Sequence, residues 1–208
     1  GQTPFRTSRS SRSTSMRSEN GIPVPLSYQR AAMLRDVIET EVKVRCDADP
    51  AWLIVRAGVT ETQSRRKESD QLYDTFAGEL RDSGRVLRVR RRGDEWILTY
   101  KGKAGNDKYK SREEQETPVT SAIDAILAGL GYRPSFYYEK YRTEYRDGTG
   151  LITVDETPIG VFLEFEGPGE WIDATAARLG FTPADYITAS YAKLYREHVE
   201  QHGGDRHG

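Results

Sequence analysis

Polar and apolar residues alternate with period two along much of this chain, and the polar positions are charged far more often than a merely wetted sheet requires. In Val37-Ile38-Glu39-Thr40-Glu41-Val42-Lys43-Val44-Arg45, residues two apart point the same way. Glu39, Glu41, Lys43 and Arg45 therefore share one face, while Ile38, Val42 and Val44 make the other mostly apolar. The same two-faced reading holds for Arg88 and Arg90 in a strand at 85–92 and for Thr99 and Lys101 at 95–101. Lys110, Arg112, Glu114 and Glu116 line one side of 108–118, and Lys140, Arg142 and Glu144 one side of 135–146. Thr153 and Asp155 oppose Ile152 and Val154 at 149–156, and Glu164 and Glu166 oppose Leu163 and Phe165 at 160–166.

Residues 68–76 read as a further strand, with Arg65-Arg66-Lys67 before it as a solvated loop, and Gly93-Asp94 and Asp147-Gly148 supply hairpin turns. Three segments have helical signals. Asp49-Pro50 opens 50–58 with proline in the first turn, and Ile123, Ile126, Leu127 and Leu130 recur at helical spacing within 119–130 before Gly131. Pro183-Ala184-Asp185 opens a last amphipathic helix carrying Ile187, Tyr191, Leu194 and Tyr195. About eight strands joined by hairpin-like links predict an α+β fold, a largely antiparallel sheet curled into a closed barrel with flanking helices.

The first 33 residues lack this periodicity. They carry Arg6, Arg9, Arg12 and Arg17 among serines with no acid before Glu19, and read as a disordered leader, a targeting peptide being the alternative. Residues 34–200 read as one domain and 201–208 as a flexible tail. The net charge of −1 on 208 residues gives no global basic field for nucleic acid, yet 30% of residues are charged. Cys46 is the single cysteine, a packing residue by this reading, which removes disulfides and thiolate metal sites. The histidines, His198, His202 and His207, stand together at the C-terminal end, away from any Ser-His-Asp arrangement in the core. No apolar run is long enough to span a membrane. The expectation is a soluble protein of a reducing compartment, the cytoplasm, with no membrane or nucleic-acid partner.

Like charges on neighbouring strands repel unless counter-ions separate them, and unpaired buried charges cost too much to be kept dry. A barrel with these residues inward therefore needs a hydrated interior, an anion for its cations and a metal for its carboxylates. Lys43, Arg88, Arg90, Lys101, Arg112, Lys140 and Arg142 suit phosphate oxygens. Glu39, Glu41, Glu164 and Glu166, with Glu114 or Glu116, are hard oxygen ligands suited to Mg²⁺ or Mn²⁺. The competing reading is a sheet with one wet, charged face and its apolar face packed on helices.

These residues resemble the CYTH, or triphosphate tunnel metalloenzyme, superfamily over about residues 36–196. The resemblance is carried by Glu39-x-Glu41-x-Lys43, Tyr73-Asp74-Thr75, Leu87-Arg88-Val89-Arg90 and Leu98-Thr99-Tyr100-Lys101-Gly102. It continues through Arg112-Glu113-Glu114-Gln115-Glu116, Glu139-Lys140-x-Arg142, Val154-Asp155-Glu156 and Phe162-Leu163-Glu164-Phe165-Glu166-Gly167. It implies an eight-stranded antiparallel tunnel acting on a triphosphate with Mg²⁺ or Mn²⁺. It also implies metal ligands at Glu39, Glu41, Glu164 and Glu166 and phosphate contacts from Lys43, Arg88, Arg90, Lys101, Lys140 and Arg142. Arg112, Glu114 and Glu116 take a mixed role on the wall.

Leu127 to Lys140 and Asp155-Glu156-Thr157-Pro158-Ile159-Gly160 look like the class IV adenylyl cyclase branch, which implies conversion of ATP to cyclic AMP and pyrophosphate. The alternative is a triphosphatase acting on inorganic, thiamine or nucleoside triphosphate. A non-catalytic polyphosphate-binding module is the third reading. The catalytic expectation falls on Lys43, in the cage around the phosphates, and on Asp155, either orienting the attacking ribose hydroxyl or pairing with Lys140. Tyr73 and Asp74 are read as touching substrate or making rim hydrogen bonds, and a homodimer is the expected assembly.

Overall fold

A computed structural model describes residues 37–105 and 108–202. The expected leader lies outside the described residues, as does the tail beyond His202, the residue that closes the last helix. Strands β1 (Val37–Arg45), β2 (Thr60–Asp74), β3 (Val86–Arg92), β4 (Glu95–Lys101), β5 (Lys110–Val119), β6 (Arg133–Arg146), β7 (Leu151–Thr157) and β8 (Gly160–Glu166) form a closed barrel. Its order is β1-β5-β4-β3-β2-β6-β7-β8, with every neighbouring pair antiparallel. Among the described residues five helices flank it: α1 (Pro50–Ala57), α2 (Glu79–Asp82), α3 (Ile123–Gly129), α4 (Gly169–Leu179) and α5 (Tyr191–His202).

The apolar strand faces point outward and the charged faces inward. Val42, Val44, Ile152, Val154, Leu163 and Phe165 pack under Leu53, Ile54 and Ala57 of α1 and Ile172, Ala176 and Leu179 of α4. Tyr73 and Val89 pack under Ile123 and Leu127 of α3. Burying one face of each strand against helices fixes the register, because a slip of one residue would exchange the two faces. At Gly150 a Cβ would lie 2.5 Å from the Trp171 ring, so the β7 entry admits the indole only without a side chain.

The structure corrects three sequence expectations about elements. Strand β2 begins at Thr60, not at 68, and takes in Arg65-Arg66-Lys67. These residues lack apolar alternation, but β6 pairs with Arg66 and Lys67, past a register shift between Gln63 and Arg66. Ion pairs Arg65–Glu156 at 2.7 Å and Lys67–Glu139 at 2.8 Å hold the extension, together with Arg66–Glu144. Helices α2 and α4 were not expected; Ile172, Ala176 and Leu179 at i, i+4 and i+7 are the signal for α4. Pro183–Asp185 forms a single 3₁₀ turn closed by reciprocal Thr182 and Asp185 contacts rather than opening a long helix. Ile187 then runs extended beside β1. Strand β5 pairs with β1 only as far as Glu41↔Lys110, and past that point Ile187 takes the free Lys43 backbone groups at 3.0 and 2.8 Å. Helix α5 starts afterwards, at Tyr191.

Candidate active site

The register sets charged residues side by side around the tunnel. Glu39 lies across from Arg112 and Glu41 from Lys110 on β5, while Lys43 lies across from Glu164 and Glu41 from Glu166 on β8. The side chains pair accordingly. Lys43 Nζ is 3.0 Å from Glu164 and 3.5 Å from Glu41, Lys110 donates to Glu41 at 2.8 Å, and Lys101 to Glu39 at 2.8 Å. Lys101 also contacts Glu114. Lys140 donates to Asp155 at 2.8 Å, Arg142 Nε to the same carboxylate at 2.6 Å, and Arg142 reaches Glu164 as well. Much of the expected repulsion is therefore met by cross-strand ion pairs within the wall itself, each strengthened by burial but drawing on the desolvation of both partners.

Every residue of the expected phosphate and metal sets faces this interior. Glu41, Lys43, Arg88, Arg90, Lys101, Arg112, Lys140, Asp155 and Glu164 are buried, Glu39, Glu114, Arg142 and Glu166 half-buried, and Glu116 sits more openly with Arg88 at 3.0 Å. Arg45 shares their strand face yet leaves the tunnel, stacking on Phe162 with its guanidinium 4.9 Å from the ring centre. Arg90 is committed within the wall: its Nε and Nη2 donate to Asp70 at 2.6 and 2.7 Å, and Nη1 is 3.1 Å from Glu68.

Asp70 and Glu68, both fully buried, escaped the sequence reading. The strand at 68–76 was expected, but Ser69 and Gln71 beside them are polar, so nothing marked which of its faces is buried. Tyr191 is the other unforeseen member. Its hydroxyl donates to Asp155 at 2.7 Å, and Lys43 and Lys140 lie 5.3 and 4.9 Å from its ring centre. Asp155 thus accepts from Lys140, Arg142 and Tyr191 together, so the pairing with Lys140 is present and the carboxylate is saturated. Tyr73 donates to Asp124 at 2.6 Å, and Asp74 accepts the Thr75, Leu80 and Arg81 N–H groups at 2.8–3.0 Å, so both residues make rim hydrogen bonds.

Not every charge finds a partner. Arg112 donates no hydrogen bond among the described residues; its nearest carboxylate is Glu41, at 3.9 Å, and its buried Nε is unmatched, as is Arg88 Nε. Burial lowers Lys101 and Lys110 to about 8, only partly offset by Glu41. Burial also raises Glu166 to about 7, reinforced by the neighbouring charges of Glu39, Glu41 and Glu164. Among the described residues these carboxylates do not converge on one point, being drawn aside by their lysines and arginines. Their chemistry nonetheless fits a hard divalent cation: oxygen donors on adjacent strands, close enough that one cannot ionise freely beside the others.

A pH dependence follows from Glu166. Its folded-state value exceeds the ordinary 4.5, so the folded protein holds the extra proton and loses stability as pH rises from about 4.5 to about 7. In chelator-treated protein, Glu166→Gln should therefore gain about 1–3 kcal/mol over the parent at pH 8 and almost nothing at pH 4. Thermal or urea unfolding at the two pH values measures this directly. Equal stability differences at both would contradict the crowding of these carboxylates.

The tunnel opens beside α2 and α5 into a cavity of about 730 Å³, which Lys110 and Arg112 also line. Among the described residues no helix is long and apolar enough to cross a membrane.

The model of the CYTH domain family matches residues 37–191. The chain belongs to that family. Members of the CYTH superfamily are metal-dependent and generally act on triphosphates. A Vibrio parahaemolyticus protein named "putative adenylate cyclase" is similar in structure, with 20% identity, 78% of this chain and 99% of that one covered, and a TM-score of 0.66. A Pyrococcus horikoshii protein gives 24% identity, 77% and 99% coverage and a TM-score of 0.65. A Hippeastrum "putative adenylyl cyclase", described as having a dominant triphosphatase activity, gives 17% identity, 77% and 96% coverage and a TM-score of 0.59. No curated protein sequence matches the chain significantly. At these identities the likeness establishes the fold, and the CYTH tunnel is the shared feature.

Proposed function

We propose that this CYTH protein is a metal-dependent triphosphatase that grips a linear triphosphate in its tunnel and releases the terminal phosphate. The observation that carries the reading is Arg112, a buried guanidinium without a hydrogen-bond partner among the described residues, on the wall beside a crowded carboxylate face. A polyanion would satisfy the first and a divalent cation the second.

In this reading Arg112 and Arg88 turn their unmatched N–H groups to phosphate oxygens. Lys101 and Lys110, near 8 without ligand, become fully protonated as the anion arrives. Lys43 is held in its charged form, because Glu164 and Glu41 outweigh the burial that opposes it, and Asp155 does the same for Arg142. These fixed cations need no rearrangement to stabilise charge developing on the phosphoryl oxygens. Asp155 and Tyr191 act as positioning residues for Lys140 and Arg142. Mg²⁺ or Mn²⁺ held by Glu39, Glu41, Glu164 and Glu166 would neutralise phosphate charge and make water a stronger nucleophile. Water adds to the terminal phosphorus, the bridging P–O bond breaks, and the diphosphate part leaves.

Cyclisation of ATP is the second reading, favoured by the likeness of Leu127 to Lys140 and Asp155 to Gly160 to the class IV cyclase branch. It would require a nucleoside site at the tunnel mouth. Asp74, the carboxylate lining that mouth among the described residues, is already spent on backbone N–H groups. Incubation with tripolyphosphate, thiamine triphosphate or ATP, each with Mg²⁺ or Mn²⁺, followed by separation of products, tests the choice. Orthophosphate from tripolyphosphate is the expected result. Cyclic AMP with pyrophosphate from ATP would replace it with the cyclase, and binding without turnover would replace both with a binding module.

A further inference from the structure

Helix α5 is fastened to the barrel along one face of its first turns. Tyr191, Leu194 and Tyr195 pack with Tyr138 and Phe162, and the Tyr191 hydroxyl reaches Asp155 at 2.7 Å. Continued at helical spacing, the same face carries His198 and then His202. His198 is half-buried and His202 exposed, so imidazoles take over where the apolar contacts of the stripe end. The tunnel chemistry uses neither of them.

Residues four apart on a helix are surface neighbours, and these two meet. Their rings stack with centres 4.2 Å apart and planes inclined by 26°. His202 Nδ1 lies 2.9 Å from the His198 carbonyl oxygen. A carbonyl only accepts, so Nδ1 carries the hydrogen and the neutral ring keeps its lone pair on Nε2. Ligating imidazoles are oriented in just this way, by a hydrogen bond from the nitrogen that does not touch the metal. Two nitrogens bound to one tetrahedral ion at about 2.0–2.1 Å stand about 3.3–3.4 Å apart. Rings already stacked at 4.2 Å need only a small side-chain rotation to reach that spacing.

The ligand type selects the ion. Imidazole suits Zn²⁺, Ni²⁺ and Cu²⁺, whereas Mg²⁺ prefers oxygen donors. Among the described residues no third His, Cys, Asp or Glu completes a cluster, so water fills the remaining coordination positions. Glu197, next in the chain to His198, is turned toward Lys193 at 3.7 Å.

We propose that His198 and His202 form a two-imidazole site for a late first-row divalent ion, Zn²⁺, Ni²⁺ or Cu²⁺, on the last turns of α5. It differs from the carboxylate face of the tunnel both in its residues and in the ions it takes, and it stands independently of the triphosphatase reading. The two rings face one ion only while this part of α5 is helical, so binding stabilises the end of the helix that seats Tyr191 on Asp155.

Calorimetric titration of the chelator-treated full chain with ZnCl₂ alone, in excess Mg²⁺ to occupy hard oxygen donors, tests the proposal. One equivalent of Zn²⁺ should bind, and His198→Ala and His202→Ala should each weaken that binding roughly tenfold or more. In NMR spectra the imidazole signals of both residues should shift together over the titration. A double variant, Glu200→His with His202→Gln, keeps the number of histidines but sets the pair two residues apart, off the common face. It should bind as weakly as the single variants. Circular dichroism of the metal-free proteins checks that the helices are retained. Undiminished affinity in either single variant, or a double variant as tight as the parent, would overturn the site. So would loss of the parent's Zn²⁺ binding in excess Mg²⁺, which would assign the ion to the carboxylates instead.

Discussion

Replacing Glu41 by glutamine should reduce turnover of a triphosphate roughly a thousandfold while leaving metal-free binding of tripolyphosphate intact or slightly tighter. Glu41 is the carboxylate at which the two halves of the site meet. It contacts Lys110 at 2.8 Å, Lys43 at 3.5 Å and Arg112 at 3.9 Å, and it lies directly across from Glu166. Burial opposes its charge, but Lys43, Lys110 and Lys101 together hold it well below the usual carboxylate range. It is therefore ionised at any pH where the protein would work. An amide of the same shape removes one hard anionic donor from the carboxylate face and leaves those cations freer for phosphate. Phosphate release and calorimetry on the same preparation separate the two effects. Turnover within tenfold of the parent would show that this face holds no metal needed for the reaction, and a parallel loss of binding would show that Glu41 serves the fold alone.

Asp70→Asn should be the most damaging single change to stability, costing about 3–5 kcal/mol, because it leaves the buried Arg90 guanidinium without its paired anion. Both bonds of that fork, 2.6 and 2.7 Å, end on Asp70, and Glu68 is already divided among Arg90, Arg92 and Arg66. A loss of that size lowers the melting temperature of a domain this long by roughly 10 °C. Asp70 is held far below its ordinary value: burial opposes its charge, but Arg90 and Arg88 overcome it. The stabilisation is thus fully present above about pH 4 and fades as pH falls further, so variant and parent should converge in acid. Tripolyphosphate should recover more stability in the variant than in the parent, since it supplies the missing negative charge next to Arg90. A variant as stable as its parent at neutral pH would mean that the Arg90–Asp70 fork contributes nothing net.

These two residues illustrate what alternation can and cannot reveal. Glu41 was legible because Val42 and Val44 beside it are apolar, so the strand announced which side was wet. Asp70 was not, because Ser69 and Gln71 leave both faces of that part of β2 polar. The extension through Arg65-Arg66-Lys67 is a strand only because β6 lies alongside with Glu139, Glu144 and Glu156 in reach. That information sits some seventy to ninety residues away in the chain. Tyr191 could be placed in the last helix, but not under Lys43 and Lys140.

The sequence by itself determined the strands with one apolar and one charged face and most of the charges that line the tunnel, though not Glu68 or Asp70. These follow from local periodicity and from the cost of burying charge, which act residue by residue. Only the tertiary structure decided which charges cancel one another and which are left over. Arg90 is taken by Asp70 and Asp155 is saturated by three donors, while Arg112 keeps only a distant Glu41 at 3.9 Å and Glu166 makes no ion pair among the described residues. Coulombic pairing depends on distance across strands rather than along them, and the closure of the barrel sets β1 beside β5 and β8, and β2 beside β6, strands far apart in the chain.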